Sequence, residues 1–103
     1  MNSQFKKGVL EILVLAQLSK GDKYGYELTE AISKEMQVAT GTLYLILKRL
    51  KDEEYFTTYL VDAGIGPARK YYSLSEKGKA YYLELLDEWK RFITAVDILL
   101  NEE

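Results

Sequence analysis

The chain has no cysteine and no histidine in its 103 residues. Without thiols it can form neither disulfides nor a thiolate metal centre. Without imidazole it lacks the commonest metal ligand and the commonest general base. Long apolar runs free of charge are also missing, and the best fall far short of the about 20 residues a membrane helix needs. The opening "MNSQFKKGVLEILVLAQLSKG" has two lysines ahead of an apolar run, as a signal peptide does. Glu11 interrupts that run, however, and no small-residue cleavage site follows. The expectation is a cytoplasmic protein without a membrane segment. No P-loop and no glycine-rich dinucleotide signature occurs, so no catalytic constellation is visible. The sequence therefore predicts no enzyme, no cofactor and no metal.

What is present suits one domain with a modest core: 48% of residues are apolar and 29% charged. The formal net charge is -2, but it is unevenly spread. Residues 37–80 hold seven Lys/Arg against five acids, and residues 81–103 hold two against six. An acidic chain is a poor indiscriminate binder of nucleic acid, yet its basic middle leaves room for a local cationic surface. No repeat, low-complexity segment or linker interrupts it.

Periodicity predicts the elements. Residues 7–18 read as a helix that is apolar almost all round and mostly buried. "SKGDK" is a turn, with Gly21 suited to a left-handed position. Residues 24–35 read as a second helix, with Tyr24, Leu28 and Ile32 recurring every four residues. After the break "MQVAT", a third helix covers about 41–54, its core face made by Leu43, Ile46, Leu47 and Leu50. Residues 55–74 are rich in β-formers on both sides of "DAGIGP", which predicts a hairpin with a glycine-rich tip. Ser75 reads as the N-cap of a long last helix, 76–101.

Two helices, a short break, a third helix and a hairpin make a winged helix-turn-helix, mainly α with a β-hairpin wing. In that arrangement the helix before the wing enters the major groove of DNA. Opposite its core face lie Gly41, Leu45, Lys48 and Asp52, flanked by Thr42, Tyr44 and Arg49. Gly41 lets the backbone approach DNA, Thr42 and Tyr44 can donate to phosphate or a base edge, and Lys48 and Arg49 supply charge. In the wing, "GPARKYY" places Arg69 and Lys70 on the returning strand. Strand alternation sends one cation to DNA and the other away, and one of Tyr71 and Tyr72 into the core.

These motifs carry a resemblance. "KGVLEILVLAQL", "YGYEL", "GTLYLILKRL", "GPARKYY", "LSEKG" and "EWKRF" together resemble the PadR-type transcriptional regulators, over nearly the whole chain. The short single C-terminal helix resembles the smaller subgroup, which includes multidrug-sensing repressors. The resemblance implies a homodimeric winged-helix repressor, with Gly41, Thr42, Leu43 and Tyr44 opening the recognition helix and Arg69 and Lys70 in the wing. Three positions depart from it. Leu45 stands where proline is frequent after the tyrosine of "TLY", and Glu54-Tyr55-Phe56 replaces a Gly-aliphatic-aliphatic step into the wing. Ala39 stands where a capping residue such as serine is frequent, so either Thr40 caps or capping is weak.

The division expected is a DNA-binding unit over residues 1–74 and a dimerisation helix over 75–103. In that helix Tyr82, Leu86, Trp89, Ile93, Val96 and Leu100 follow a heptad a/d spacing, and Leu85, Phe92 and Leu99 widen it into a second stripe. The helix can pack onto its own domain, where the first helix can cover one stripe. That leaves the second for a twofold partner, which would match the half-sites of palindromic double-stranded DNA. Trp89 reads as a dimer-core residue or as the wall of an effector pocket, where two rings near the dyad would sandwich a planar hydrophobic compound. Glu84, Asp87 and Glu88 nearby would suit a cationic one. The function expected is sequence-specific repression released by a small molecule. The alternative is a winged-helix protein-interaction module without DNA binding, which the acidic pI would suit.

Overall fold

The computed structural model describes residues 3–102, and side chains from residue 7 onward. Its elements are α1 (Ser3–Ser19), β1 (Lys23–Tyr24), α2 (Gly25–Ser33), α3 (Thr40–Asp52), β2 (Phe56–Val61), β3 (Arg69–Leu74) and α4 (Glu76–Leu100). The strands form one antiparallel sheet in the order β1-β3-β2. The core joins Leu10, Val14, Leu15 and Leu18 of α1 to Leu28 and Ile32 of α2 and to Leu43, Ile46, Leu47 and Leu50 of α3. Phe56 and Tyr72 close it from the sheet, their rings edge to face at 5.2 Å. This is a mainly helical winged helix with a long C-terminal helix, as the periodicity predicts.

The expected second helix starts too early. Tyr24 lies outside α2, with extended backbone, and pairs with Tyr71 in β3. Its ring therefore leaves the Leu28/Ile32 face and packs on Tyr71, with centroids 5.6 Å apart. The Glu27 carboxylate accepts from the Tyr24 N–H at 3.2 Å, which satisfies a donor at the start of α2. A two-residue strand has no period of its own, so nothing local announces it.

The third helix stops at Asp52, two residues short of expectation, and its ending is informative. The Tyr55 N–H donates to Leu50 O and the Glu54 N–H to Lys51 O, the paired bonds of a Schellman turn. Such a turn needs a left-handed residue, and Glu54 supplies it at φ 64°. This is where the resemblance leads one to expect glycine, which has no Cβ to clash. Glu54→Gly is expected to raise stability by roughly 0.5–1 kcal/mol, read as a higher urea midpoint with an unchanged slope. A loss instead would show that the glutamate side chain, not the backbone, decides this corner.

The same corner anchors α4. Ser75 accepts from the Gly78 N–H at 3.0 Å, which makes it the N-cap read from the sequence. Its hydroxyl donates to Glu54 O at 2.8 Å and its N–H to Tyr55 O at 3.1 Å. The first turns of α4 then pack Tyr81, Tyr82 and Leu85 against the core. Tyr81 lies flat on Tyr55 at 4.0 Å.

Candidate nucleic-acid interface

The N-terminus of α3 is open. Ala39 is its N-cap residue and makes no side-chain capping bond, and Thr40 is the first helical residue rather than the cap. The leading N–H groups of a helix have no intrahelical partner, and the helix dipole adds partial positive charge there. An uncapped, exposed N-terminus is therefore suited to a phosphate. Thr40 and Gly41 are exposed and Thr42 half-buried, all in this first turn.

The remaining sequence-predicted residues of α3 divide. Lys48 is exposed and pairs with Asp52 at 3.0 Å one turn on. An exposed pair of this kind stabilises by less than about 1 kcal/mol, so the ammonium is readily given up to a stronger anion. Arg49 instead reaches back to α1, where its guanidinium pairs with the Glu11 carboxylate. Tyr44 lies across the start of α2. A Cβ placed on Gly25 would sit 3.1 Å from the Tyr44 hydroxyl, so the glycine makes room for that ring. Burial, and secondarily the nearby Tyr44, raises the pKa of the Tyr72 hydroxyl.

The wing is built by two left-handed glycines, Gly64 at φ 83° and Gly66 at φ 82°. The Gly64 N–H donates to the Asp62 carboxylate at 2.9 Å, which tightens the turn. Ile65 stands at the tip, 94% exposed, a residue the sequence reading passed over.

Register assigns the two wing cations to opposite faces. Arg69 shares a face with Tyr71, and its guanidinium sits 4.6 Å from the Tyr24 ring centroid. Tyr59 stacks on Tyr71 at 5.5 Å and donates its hydroxyl to Asp22 at 2.7 Å. That hydrogen bond, followed by desolvation and the carboxylate charge, raises the Tyr59 pKa. An aromatic row thus ties the wing to the turn after α1. Lys70 is on the other face, opposite Leu60 and in line with buried Tyr72. Tyr72, not Tyr71, is the tyrosine that enters the core. Sequence gives the alternation but not its phase, because the phase is set by which side of the sheet the helices cover.

The description "Transcriptional regulator PadR-like family" belongs to the family model that matches residues 14–84, from inside α1 to the first half of α4. The chain belongs to the PadR-like family. It is 36% identical to a PadR-like transcriptional regulator of Bacillus cereus, covering 98% of this chain and all of that one, with a TM-score of 0.87. A PadR family transcription regulator of Clostridium difficile is 30% identical over 89% of this chain and 98% of that one, with a TM-score of 0.81. An uncharacterised protein of Lysinibacillus sphaericus is 33% identical over 98% of this chain and 96% of its own length.

The last helix of this PadR-like chain has little cover. Gly78 is its one fully buried residue among those described. Tyr82, Leu86, Trp89, Ile93 and Val96 are half-buried, while Leu100 and the neighbouring Leu83, Phe92, Ile98 and Leu99 are exposed. Between α1 and α4 runs an open groove of about 340 Å³, walled by Val9, Ile12, Leu85, Trp89 and Phe92. Trp89 and Phe92 lie 6.0 Å apart, tilted by 38°. Glu11 and Glu88 also line this groove. No group of residues able to hold a metal occurs among those described, and no helix there is long and apolar enough to cross a membrane.

Proposed function

We propose that the chain is a sequence-specific DNA-binding repressor, cytoplasmic, acting as a homodimer on a palindromic operator and released by a planar hydrophobic or cationic effector. The observation that carries the DNA-binding part is the uncapped, exposed N-terminus of α3 beside a two-glycine wing. Thr40, Gly41, Thr42, Tyr44 and Lys48 are the contacts proposed for α3, with Lys70 from the wing. Arg49 fixes α3 on α1 and offers its exposed part to the DNA backbone. Arg69 supports the wing through Tyr24 and makes the weaker contact. The thinly covered α4 supports the dimer, with Tyr82, Leu86, Trp89, Ile93, Val96 and Leu100 as its seam, so residues 1–74 would read DNA and 75–103 would pair the subunits. The groove at Trp89 is the effector site in this reading.

Gel-shift titration against the DNA upstream of the protein's own gene tests it. Lys48→Ala should weaken binding and flatten the salt dependence by about one phosphate contact per protomer. Lys70→Ala should lose on the order of 1 kcal/mol per half-site, and Arg69→Ala clearly less. Equal losses would mean that both wing cations reach DNA. No complex at moderate salt would sink the repressor reading and favour a protein-interaction module.

A further inference from the structure

Glu11 is a carboxylate shared by three elements. It lies on α1 with its side chain only 17% exposed, and it pairs with Arg49 of the recognition helix. Its second oxygen accepts from the Tyr81 hydroxyl of α4 at 3.4 Å. The same residue also lines the groove that holds Trp89 and Phe92. One side chain thus touches the helix proposed to read DNA, the helix proposed to pair the subunits, and the cavity between α1 and α4.

Each of these ties has a physical consequence. A half-buried ion pair is screened less than a surface one, so Arg49 and Glu11 fix α3 on α1 more firmly than Lys48 and Asp52 hold each other. The carboxylate has a limited number of lone-pair directions, and a guanidinium and a phenol already use part of them. The groove is lined by apolar Val9, Ile12, Leu85, Trp89 and Phe92 together with Glu11 and Glu88. A cation bound in it would compete with Arg49 for Glu11. A neutral molecule of the same shape has no such claim on the carboxylate. A ligand shifts a structure only by its differential affinity for two states, and this competition supplies that difference.

We propose that Glu11 reads the charge of whatever occupies the α1/α4 groove and passes it to α3 through Arg49. The ligand class is a planar hydrophobic monocation. Its ring packs on Trp89, and its charge draws Glu11 away from Arg49 and loosens the seat of α3. This rests on the effector reading of the groove given above, and it names the residue by which that site would be coupled to DNA.

The test uses the full-length dimer and two probes of one shape, N-methylquinolinium and 1-methylnaphthalene. Binding is followed by calorimetry, and operator affinity by gel shift. In the wild type both probes should bind, with only the cation weakening operator affinity, by about fivefold or more, within the usual range of allosteric coupling. Glu11→Gln keeps the shape and removes the charge. It should lower operator affinity several-fold without any probe, and then respond to the two probes alike. Arg49→Gln should do the same while still binding the cation in preference to the neutral probe, because Glu11 remains. If Glu11→Gln keeps the wild-type response to the cation, the relay is wrong and the effector site stands. If neither probe binds the wild type at millimolar concentration, the effector reading and the relay fall together.

Discussion

Gly78→Ala is expected to cost roughly 3 kcal/mol or more and to lower the melting temperature by more than about 10 °C. Gly78 sits in the first turn of α4, where alanine would ordinarily stabilise a helix over glycine by about 1 kcal/mol. The fold reverses that sign. A Cβ on Gly78 would lie 1.8 Å from the Tyr55 carbonyl oxygen and 2.8 Å from its carbon. Both are backbone atoms, so no side chain can swing away. Leu74 Cδ1 at 2.9 Å closes the other side. The carbonyl cannot retreat freely either, because it accepts from the Ser75 N–H, and Ser75 caps the helix that holds Gly78. Relief would have to separate the start of β2 from the start of α4. Total stabilities of about 5–15 kcal/mol leave little reserve for that. Urea unfolding at fixed protein concentration is the measurement, since the stability of the proposed dimer would depend on concentration. A neutral or stabilising result would mean that the two segments are not pinned as described.

Ile93→Glu should dissociate the proposed dimer. Ile93 lies mid-seam on α4, half-buried within one chain. If the seam pairs across a twofold axis, the substitution buries two unpaired like charges at once. Sedimentation should show monomer at micromolar concentration, and operator affinity should fall by roughly 10²–10⁴-fold as two linked half-site contacts become one. The circular dichroism of the helices should change little, because α4 is anchored at its other end by Ser75 and Gly78. A variant that stays dimeric would move the interface to the stripe of Phe92 and Leu99, which are exposed in one chain.

The sequence by itself determined the order and kind of the major elements. Helix period, the alternation around "DAGIGP" and the Ser75 cap are local signals, and each acts within a few residues of itself. The core face of α3, with Leu43, Ile46, Leu47 and Leu50, follows from spacing alone and is the buried set. Family membership was legible for the same reason, since its motifs are contiguous words. Tertiary structure decided what depends on residues far apart in the chain. Tyr24 is a strand residue only because Tyr71 pairs with it, and its ring holds Arg69 only because β3 lies beside β1. The phase of the wing, with Lys70 on the side of Tyr72, depends on which face the helices cover. Arg49 looked like a free cation on a polar flank until α1 brought Glu11 to it. The need for glycine at position 78 exists only because the Tyr55 carbonyl occupies the space a side chain there would take. Periodicity and capping are properties of a few consecutive residues, whereas close approach and ion pairing exist only after distant segments have packed.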